Sequence, residues 1–123
     1  MNATRNLAVF AALNGAFAVL IGAFAAHGTG PQIKSLLTTG AHYQMVHAVL
    51  ALVCAIWPGR HRFILFAGWL AAAGGLVFCL ALSGIALLSL TAMGVVAPVG
   101  GLMMIAAWLL LLFASLRSQS IAV

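Results

Sequence analysis

Four apolar stretches, each close to the length that an α-helix needs to cross a bilayer, account for most of this sequence. They cover about residues 7–26, 41–57, 63–88 and 95–116. A helix of about 20 apolar residues spans the roughly 30 Å of hydrocarbon in a membrane. No stretch alternates between polar and apolar residues as the strands of a membrane barrel do. The sequence therefore predicts an all-α membrane protein, a four-transmembrane-helix bundle in a single domain over residues 1–123.

Charged residues are too scarce for a water-soluble domain. Hydrophobic residues make up 66% of the 123 and charged residues 4%, whereas a soluble domain has about a quarter charged residues. The chain contains no Asp and no Glu. Their absence excludes paired-carboxylate acid–base catalysis and carboxylate cages for Mg²⁺ or Ca²⁺. We therefore expect no enzyme activity, and we expect the lipid bilayer to be the main partner of this surface.

The five basic residues predict how the chain is oriented in the membrane. Four crossings place both termini on one side, together with Arg5, Arg60, Arg62 and Arg117, and leave Lys34 on the other side. Because basic residues are enriched in cytoplasmic loops, both termini are predicted to be cytoplasmic, in a bacterial inner (plasma) membrane. The basic residues form no cluster with interleaved aromatic residues, so we expect no binding of nucleic acid.

Glycine and proline separate the apolar stretches. The breaks lie at residues 28–31, 58–60 and 89–94, and the predicted topology puts two loops, 28–40 and 89–94, outside the cell. The first stretch follows a basic residue as a signal peptide does. Its apolar part is longer than the usual 7–15 residues of such a peptide, so we expect a retained helix.

The second stretch places polar side chains deep in the membrane. Trp57 marks its cytoplasmic end, because Trp prefers the membrane interface. His47 lies ten residues before Trp57, about 15 Å along the helix. Tyr43 shares a face with His47, and Gln44 flanks it. Since burial in lipid disfavours a charged imidazole, His47 is predicted to be neutral and to need hydrogen-bond partners.

The first stretch offers a partner for this imidazole. Asn14 lies about 11 Å along the helix from Leu7, at a depth that makes an Asn14–His47 hydrogen bond between the two helices a reasonable prediction. His27 is predicted to lie at the outer end of the same helix, near water. Two interpretations of the polar cluster stay open. It fixes the packing of the helices, or it forms a ligand or proton site.

Small residues predict close packing between helices. They recur every four residues in two of the stretches, at Ala18, Gly22 and Ala26 and at Ala67, Ala71 and Gly75. Gly74 and Gly75 lie at about the depth of His47, so the imidazole is expected to fit against them. Pro98, in the first turn of the fourth helix, is compatible with a helix. Gly100 and Gly101 permit close backbone approach.

Three motifs resemble a known family. They are GAFAAHG (Gly22–Gly28), TGAHYQMVHAVLAL (Thr39–Leu52) and APVGGLMMIAAW (Ala97–Trp108). Together they are similar to the YgdD-like family of small inner-membrane proteins, catalogued as domain of unknown function 423. The resemblance implies a four-helix membrane protein with no settled biochemical role. It carries over eight positions, namely His27, Tyr43, Gln44, His47, Pro98, Gly100, Gly101 and Trp108.

These observations leave three functional hypotheses. The first is an accessory subunit that binds a larger membrane complex or another copy of itself, and it is favoured by the short loops and the small-residue stripes. The second is an oligomeric transporter or channel for a small solute or protons, lined by Asn14, Tyr43 and His47. The third is a haem or metal protein using His27 and His47. We rank it last and expect no cofactor, because their predicted depths differ by about 15 Å.

Overall fold

A computed structural model gives the fold of residues 2–59 and 62–117. The described chain forms four helices and no strand. These helices are α1 (Asn2–Ala26), α2 (Pro31–Ala55), α3 (Arg62–Leu88) and α4 (Met93–Arg117). Each has 25 or 27 residues, which is about 37–41 Å at 1.5 Å per residue. All four are long and apolar enough to cross a membrane, so the predicted fold class is confirmed.

Helix α2 begins ten residues before its predicted start, at Pro31. Proline is well tolerated in the first turn of a helix, because its missing N–H would have no partner there. No second helix breaker follows, and Leu37 is fully buried. Gly40 continues the helix and lies so close to Cys79 that a Cβ would stand 3.1 Å from the Cα of that residue. The predicted outer loop over residues 28–40 is therefore wrong. Helix α2 continues through this segment, because exposed polar side chains do not end a helix.

Among the described residues, three in the turns between helices lie in the left-handed region of backbone conformation. Gly28 has a φ of 94° and Gly59 a φ of 91°, which glycine adopts without strain. Ser89 has a φ of 55°, and the next amide, that of Leu90, donates a hydrogen bond of 3.1 Å to the carbonyl of Gly84. Arg60 and His61, which the sequence places in the loop between α2 and α3, lie outside the described residues.

The helices alternate in direction, and α3 lies at the centre of their packing. Residues near one end of every helix share a single apolar cluster, including Leu7, Ala55, Ile64 and Ala114. Helix α3 packs extensively against α2 and α4, while α1 packs against α2 and less closely against α3. Within the described chain, α4 makes only marginal contact with α1 and α2. A helix of a closed four-helix bundle has two close neighbours, so this bundle is open beside α4.

Helices α3 and α4 meet backbone to backbone. A Cβ at Gly100 would lie 2.7 Å from the amide nitrogen of Phe78 and 2.8 Å from the carbonyl oxygen of Gly74. A Cβ at Gly74 would lie 2.9 Å from the carbonyl oxygen of Gly100. The close approach predicted for Gly100 is therefore present, and glycine is the one residue that allows it on either helix.

The small-residue stripe predicted for α3 is buried as expected, at Ala67, Ala71 and Gly75. The stripe predicted for α1 is only partly right. Ala18 is buried and Gly22 packs toward Ala41, but Ala26 is exposed and Ala25 is buried in its place. Buried residues along α1 follow alternating steps of three and four because an average step of 3.5 keeps one seam facing the neighbouring helices.

Candidate functional site

Two amide side chains meet at the middle of the bundle. Asn14 lies near the midpoint of α1 and Gln44 near the midpoint of α2, and both side chains are buried. The Gln44 Nε2 donates to Asn14 Oδ1 at 2.7 Å, and Asn14 Nδ2 donates to the carbonyl of Phe10 at 3.0 Å. This pair links α1 to α2 at mid-membrane depth, where such hydrogen bonds contribute about 0.6 kcal/mol on average.

The second polar atom of Gln44 is left unpaired. Its Oε1 is buried and accepts no hydrogen bond from the described residues. Helix α3 packs closely against the backbone of α2 here, since a Cβ at Gly75 would stand 3.2 Å from the Cα of Gln44 and 3.4 Å from the Cβ of His47. An unpaired buried acceptor costs about 1–3 kcal/mol. The polar pair therefore adds little net stability, and it favours one particular register between the helices.

His47 is bound at both ring nitrogens. Its Nδ1 lies 2.7 Å from the carbonyl oxygen of Tyr43 and so must donate to it. The indole Nε1 of Trp108 donates to His47 Nε2 at 3.0 Å. One nitrogen therefore carries the proton and the other accepts, which is the neutral imidazole that the sequence predicts. The bond to Trp108 connects α2 to α4 through side chains, at a place where the two backbones lie apart.

The hydrogen bond predicted between Asn14 and His47 is wrong. Asn14 binds Gln44, and His47 binds Trp108. Gln44 and His47 are three residues apart on α2, which separates them by about 60° around the helix axis. Because α1 and α4 lie on different sides of α2, the two polar side chains turn to different helices.

Tyr43 lies beside His47 and is about half exposed. Its ring packs edge-on against Phe78, with centroids 5.3 Å apart, and lies nearly parallel to the His47 ring at 6.4 Å. The Tyr43 hydroxyl makes no hydrogen bond within the described chain. Tyr43 is near the midpoint of α2, so the free phenol belongs to a residue far from both ends of a helix that is long enough to cross a membrane.

A groove of about 390 Å³ lies between α2 and α4, which we call the α2–α4 groove. Its lining consists of Tyr43, His47, Phe78, Gly101, Met104, Ile105 and Trp108. Phe78 of α3 supplies part of the lining because α4 touches α2 only marginally. A Cβ at Gly101 would meet no atom within 4 Å, so this glycine leaves space in the groove and makes no close helix contact.

Other predicted residues lie away from this groove. His27 is exposed in the turn after α1, about 24 Å along α2 from the level of His47. The structure therefore does not bring the two histidines together. Gly22 faces Ala41 and belongs to the α1–α2 contact. Pro98 is exposed inside α4, beyond the first turn where it was predicted, because the helix begins at Met93.

Sequence reasoning missed three lining residues, Phe78, Met104 and Ile105. Met104 stands three residues after Gly101 and four before Trp108. Residues at such spacings share one face of a helix. The spacing from Gly101 to Trp108 was thus a usable signal for the α4 side of the groove. Phe78 gave no comparable signal, because its place depends on how α3 crosses α2.

Comparisons with known proteins agree with this architecture. The sequence profile of a family described as "Protein of unknown function (DUF423)" matches residues 21–101. A UPF0382 membrane protein of Staphylococcus aureus is 32% identical over 114 residues, which cover 89% of this chain and 93% of that protein. A UPF0382 membrane protein of Staphylococcus epidermidis is 33% identical over the same coverage. No solved structure matches the chain.

Proposed function

This chain belongs to the DUF423 family of bacterial multi-pass membrane proteins of unknown function, and we propose that it is a helix-packing subunit that associates with a second copy of itself. The observation that carries this proposal is a leucine-rich seam along the outer face of α4. We assign no catalytic step to the chain, and its proposed role lies in assembly within the bilayer.

The outer seam of α4 consists of Leu102, Ile105, Leu109, Leu112 and Leu116. Each of these side chains is at least 56% exposed. They follow one another at alternating steps of three and four residues, which is the heptad pattern of helices that pack by knobs-into-holes contacts. A second seam with the same spacing faces α3 and is buried, at Ala97, Gly100, Met104, Ala107, Leu111 and Ala114. Helix α4 therefore carries one seam that is used and one that is free in a single copy.

A second copy is the occupant that fits this seam best. Two copies in one membrane have the same orientation, so a two-fold axis along the membrane normal pairs their α4 helices in parallel. Each seam residue then meets its own counterpart, and the leucine pattern is complementary to itself. Helix association in lipid depends on such packing contacts, because the hydrophobic effect does not favour protein over lipid tails.

The charge distribution supports a defined orientation for such a pair. Arg5, Arg62 and Arg117 belong to the end of the bundle where α1 and α3 begin and α4 ends. Lys34 belongs to the other end, one turn into α2. We propose that the arginine end faces the cytoplasm, since basic residues are retained there. Both termini are then cytoplasmic.

The transporter alternative has less support. It requires Asn14, Tyr43 and His47 to line one path. Asn14 directs its hydrogen bonds to Gln44 and its own helix, and His47 binds Trp108. Asn14 and His47 therefore have their hydrogen-bond partners inside a single copy, and those partners differ. Proteoliposomes test this alternative. A flux of protons or small neutral solutes that the wild type carries and His47→Ala does not would support the transporter hypothesis.

Cysteine cross-linking in native membranes tests the proposed pairing. The two native cysteines, Cys54 and Cys79, are free and buried, so the unmodified chain serves as the baseline. Single cysteines are placed on the seam, at Leu109 for example, and a matched control is placed at Ala106 on the same helix. Ala106 is also exposed, but it lies off the seam. After mild oxidation, dimers are counted by non-reducing electrophoresis.

We expect dimers from Leu109→Cys and few from Ala106→Cys, with the same contrast for the other seam positions. Dilution of the chain in lipid vesicles should lower the dimer yield as a mass-action equilibrium requires. Equal yields on and off the seam would refute the pairing. A monomer by native mass spectrometry from lipid nanodiscs, or a seam cysteine that joins only a different protein, would also refute association with a second copy.

A further inference from the structure

In a single copy, the α2–α4 groove opens to the lipid. Its two flanking helices touch only marginally, and two of its lining residues, Tyr43 and Trp108, are 46% and 49% exposed. Both residues belong to the interior part of helices that are long enough to span the membrane. A molecule that reaches this groove must therefore dissolve in hydrocarbon. This reasoning does not rest on the proposed self-association.

The lining is rich in flat aromatic surface. Tyr43, Phe78 and Trp108 contribute rings, and Met104 contributes a thioether, which makes favourable contacts with aromatic groups. Aromatic side chains prefer stacked or edge-on partners with their own flat rings. A saturated acyl chain uses none of this preference. A flat ring is the better match for the groove.

One polar group in the lining is available to a ligand. Both ring nitrogens of His47 already make hydrogen bonds, and the indole N–H of Trp108 donates to one of them. The hydroxyl of Tyr43 makes no hydrogen bond within the described chain. In hydrocarbon, a polar group without a partner costs free energy, because water is absent. An uncharged acceptor on the ligand, such as a carbonyl oxygen, would remove that cost.

Depth excludes a charged head group. Tyr43 lies near the midpoint of α2, whereas phospholipid head groups lie about 15 Å away from the bilayer centre. We propose that the α2–α4 groove binds the head group of a lipid-soluble ring compound that carries a carbonyl oxygen. A benzoquinone or naphthoquinone with an apolar tail has this chemistry. The Tyr43 hydroxyl donates to the carbonyl, the aromatic side chains contact the ring, and the tail leaves into the lipid.

Two glycines provide a matched pair of variants. Gly101 lines the groove and Gly15 lies on α1, and a Cβ at either position would meet no atom within 4 Å. Gly101→Leu is therefore expected to fill the groove without a clash against the backbone. Gly15→Leu adds the same side chain elsewhere on the lipid-facing surface. Both variants keep Tyr43, His47 and Trp108.

Tryptophan fluorescence of the full-length chain in lipid nanodiscs measures binding. The probe is a benzoquinone with a decyl tail, because quinones quench indole emission and Trp108 lies in the groove. Collisions in the lipid quench all three tryptophans of the chain in proportion to probe concentration. A bound probe adds a component that saturates. We expect that component in the wild type and in Gly15→Leu, and its loss in Gly101→Leu and in Trp108→Phe.

Removing only the phenol hydroxyl tests the assigned contact. Tyr43→Phe keeps the ring and should weaken binding by about five- to tenfold, the effect of one hydrogen bond. Decylbenzene, which has the tail and a ring but no carbonyl, should compete poorly. Quenching that never saturates would overturn the site. A saturable component that persists in Gly101→Leu would also overturn the site. One that stays unchanged in Tyr43→Phe, or is displaced equally by decylbenzene, would overturn the assigned ligand chemistry.

Discussion

Replacing Gly100 by alanine tests how α4 is held against α3. The new Cβ would lie 2.7 Å from the amide nitrogen of Phe78 and 2.8 Å from the carbonyl oxygen of Gly74. Both are backbone atoms, so no change of side-chain rotamer relieves the contact. Ordinary contact begins at 3.4 Å. The two helices would therefore have to separate by about 0.7 Å, the difference between 3.4 and 2.7 Å.

We expect Gly100→Ala to lower the free energy of unfolding by about 1–3 kcal/mol, the usual cost of overpacking a tight contact. A displacement of α4 by that distance also strains the 3.0 Å hydrogen bond from Trp108 to His47. The neighbouring position supplies the control. Because a Cβ at Gly101 meets no atom within 4 Å, Gly101→Ala should be neutral or stabilising by about 0.5–1 kcal/mol, owing to the better helix propensity of alanine.

Reversible unfolding in mixed micelles, followed by circular dichroism as the denaturing detergent increases, measures both variants. The same substitution at adjacent residues of one helix keeps composition, depth and detergent binding nearly constant. The two free energies should differ by at least about 1 kcal/mol. If they agree within about 0.5 kcal/mol, the backbone contact between α3 and α4 is not as close as described, and α4 is held by other interactions.

Three further predictions follow from the polar contacts and the charges. A double-mutant cycle with Asn14→Leu and Gln44→Met should give a coupling of about 0.6 kcal/mol, and additivity would argue against their hydrogen bond. Trp108→Phe leaves the Nε2 of His47 without its donor and should reduce the free energy of unfolding by up to about 1.7 kcal/mol beyond the loss of packing. In a His47→Leu background, Trp108→Phe should cost only the loss of packing. Finally, Lys34→Cys should react with a membrane-impermeant maleimide added to intact cells, and protection from that reagent would invert the proposed orientation.

The sequence alone was sufficient for the architecture, because the relevant properties are local. Apolar length and the scarcity of charge in each stretch do not depend on how the helices are arranged, so four spans could be counted directly. The same holds for the position of His47 along α2, which follows from counting residues. The start of α2 was misplaced because polarity was used as a boundary. Polar residues end an apolar run, but they do not end a helix. Helix α2 begins at Pro31 and continues through the polar residues that follow it.

The partners of the polar side chains were decided by the tertiary structure. Gln44 and His47 differ by about 60° around α2, and only the placement of α1 and α4 determines that one meets Asn14 and the other Trp108. The groove likewise exists because α4, within the described chain, packs closely against α3 and only marginally against α1 and α2. Rotation and crossing of helices arise from contacts between residues far apart in sequence, so spacing within one segment specifies a depth and a face but no partner.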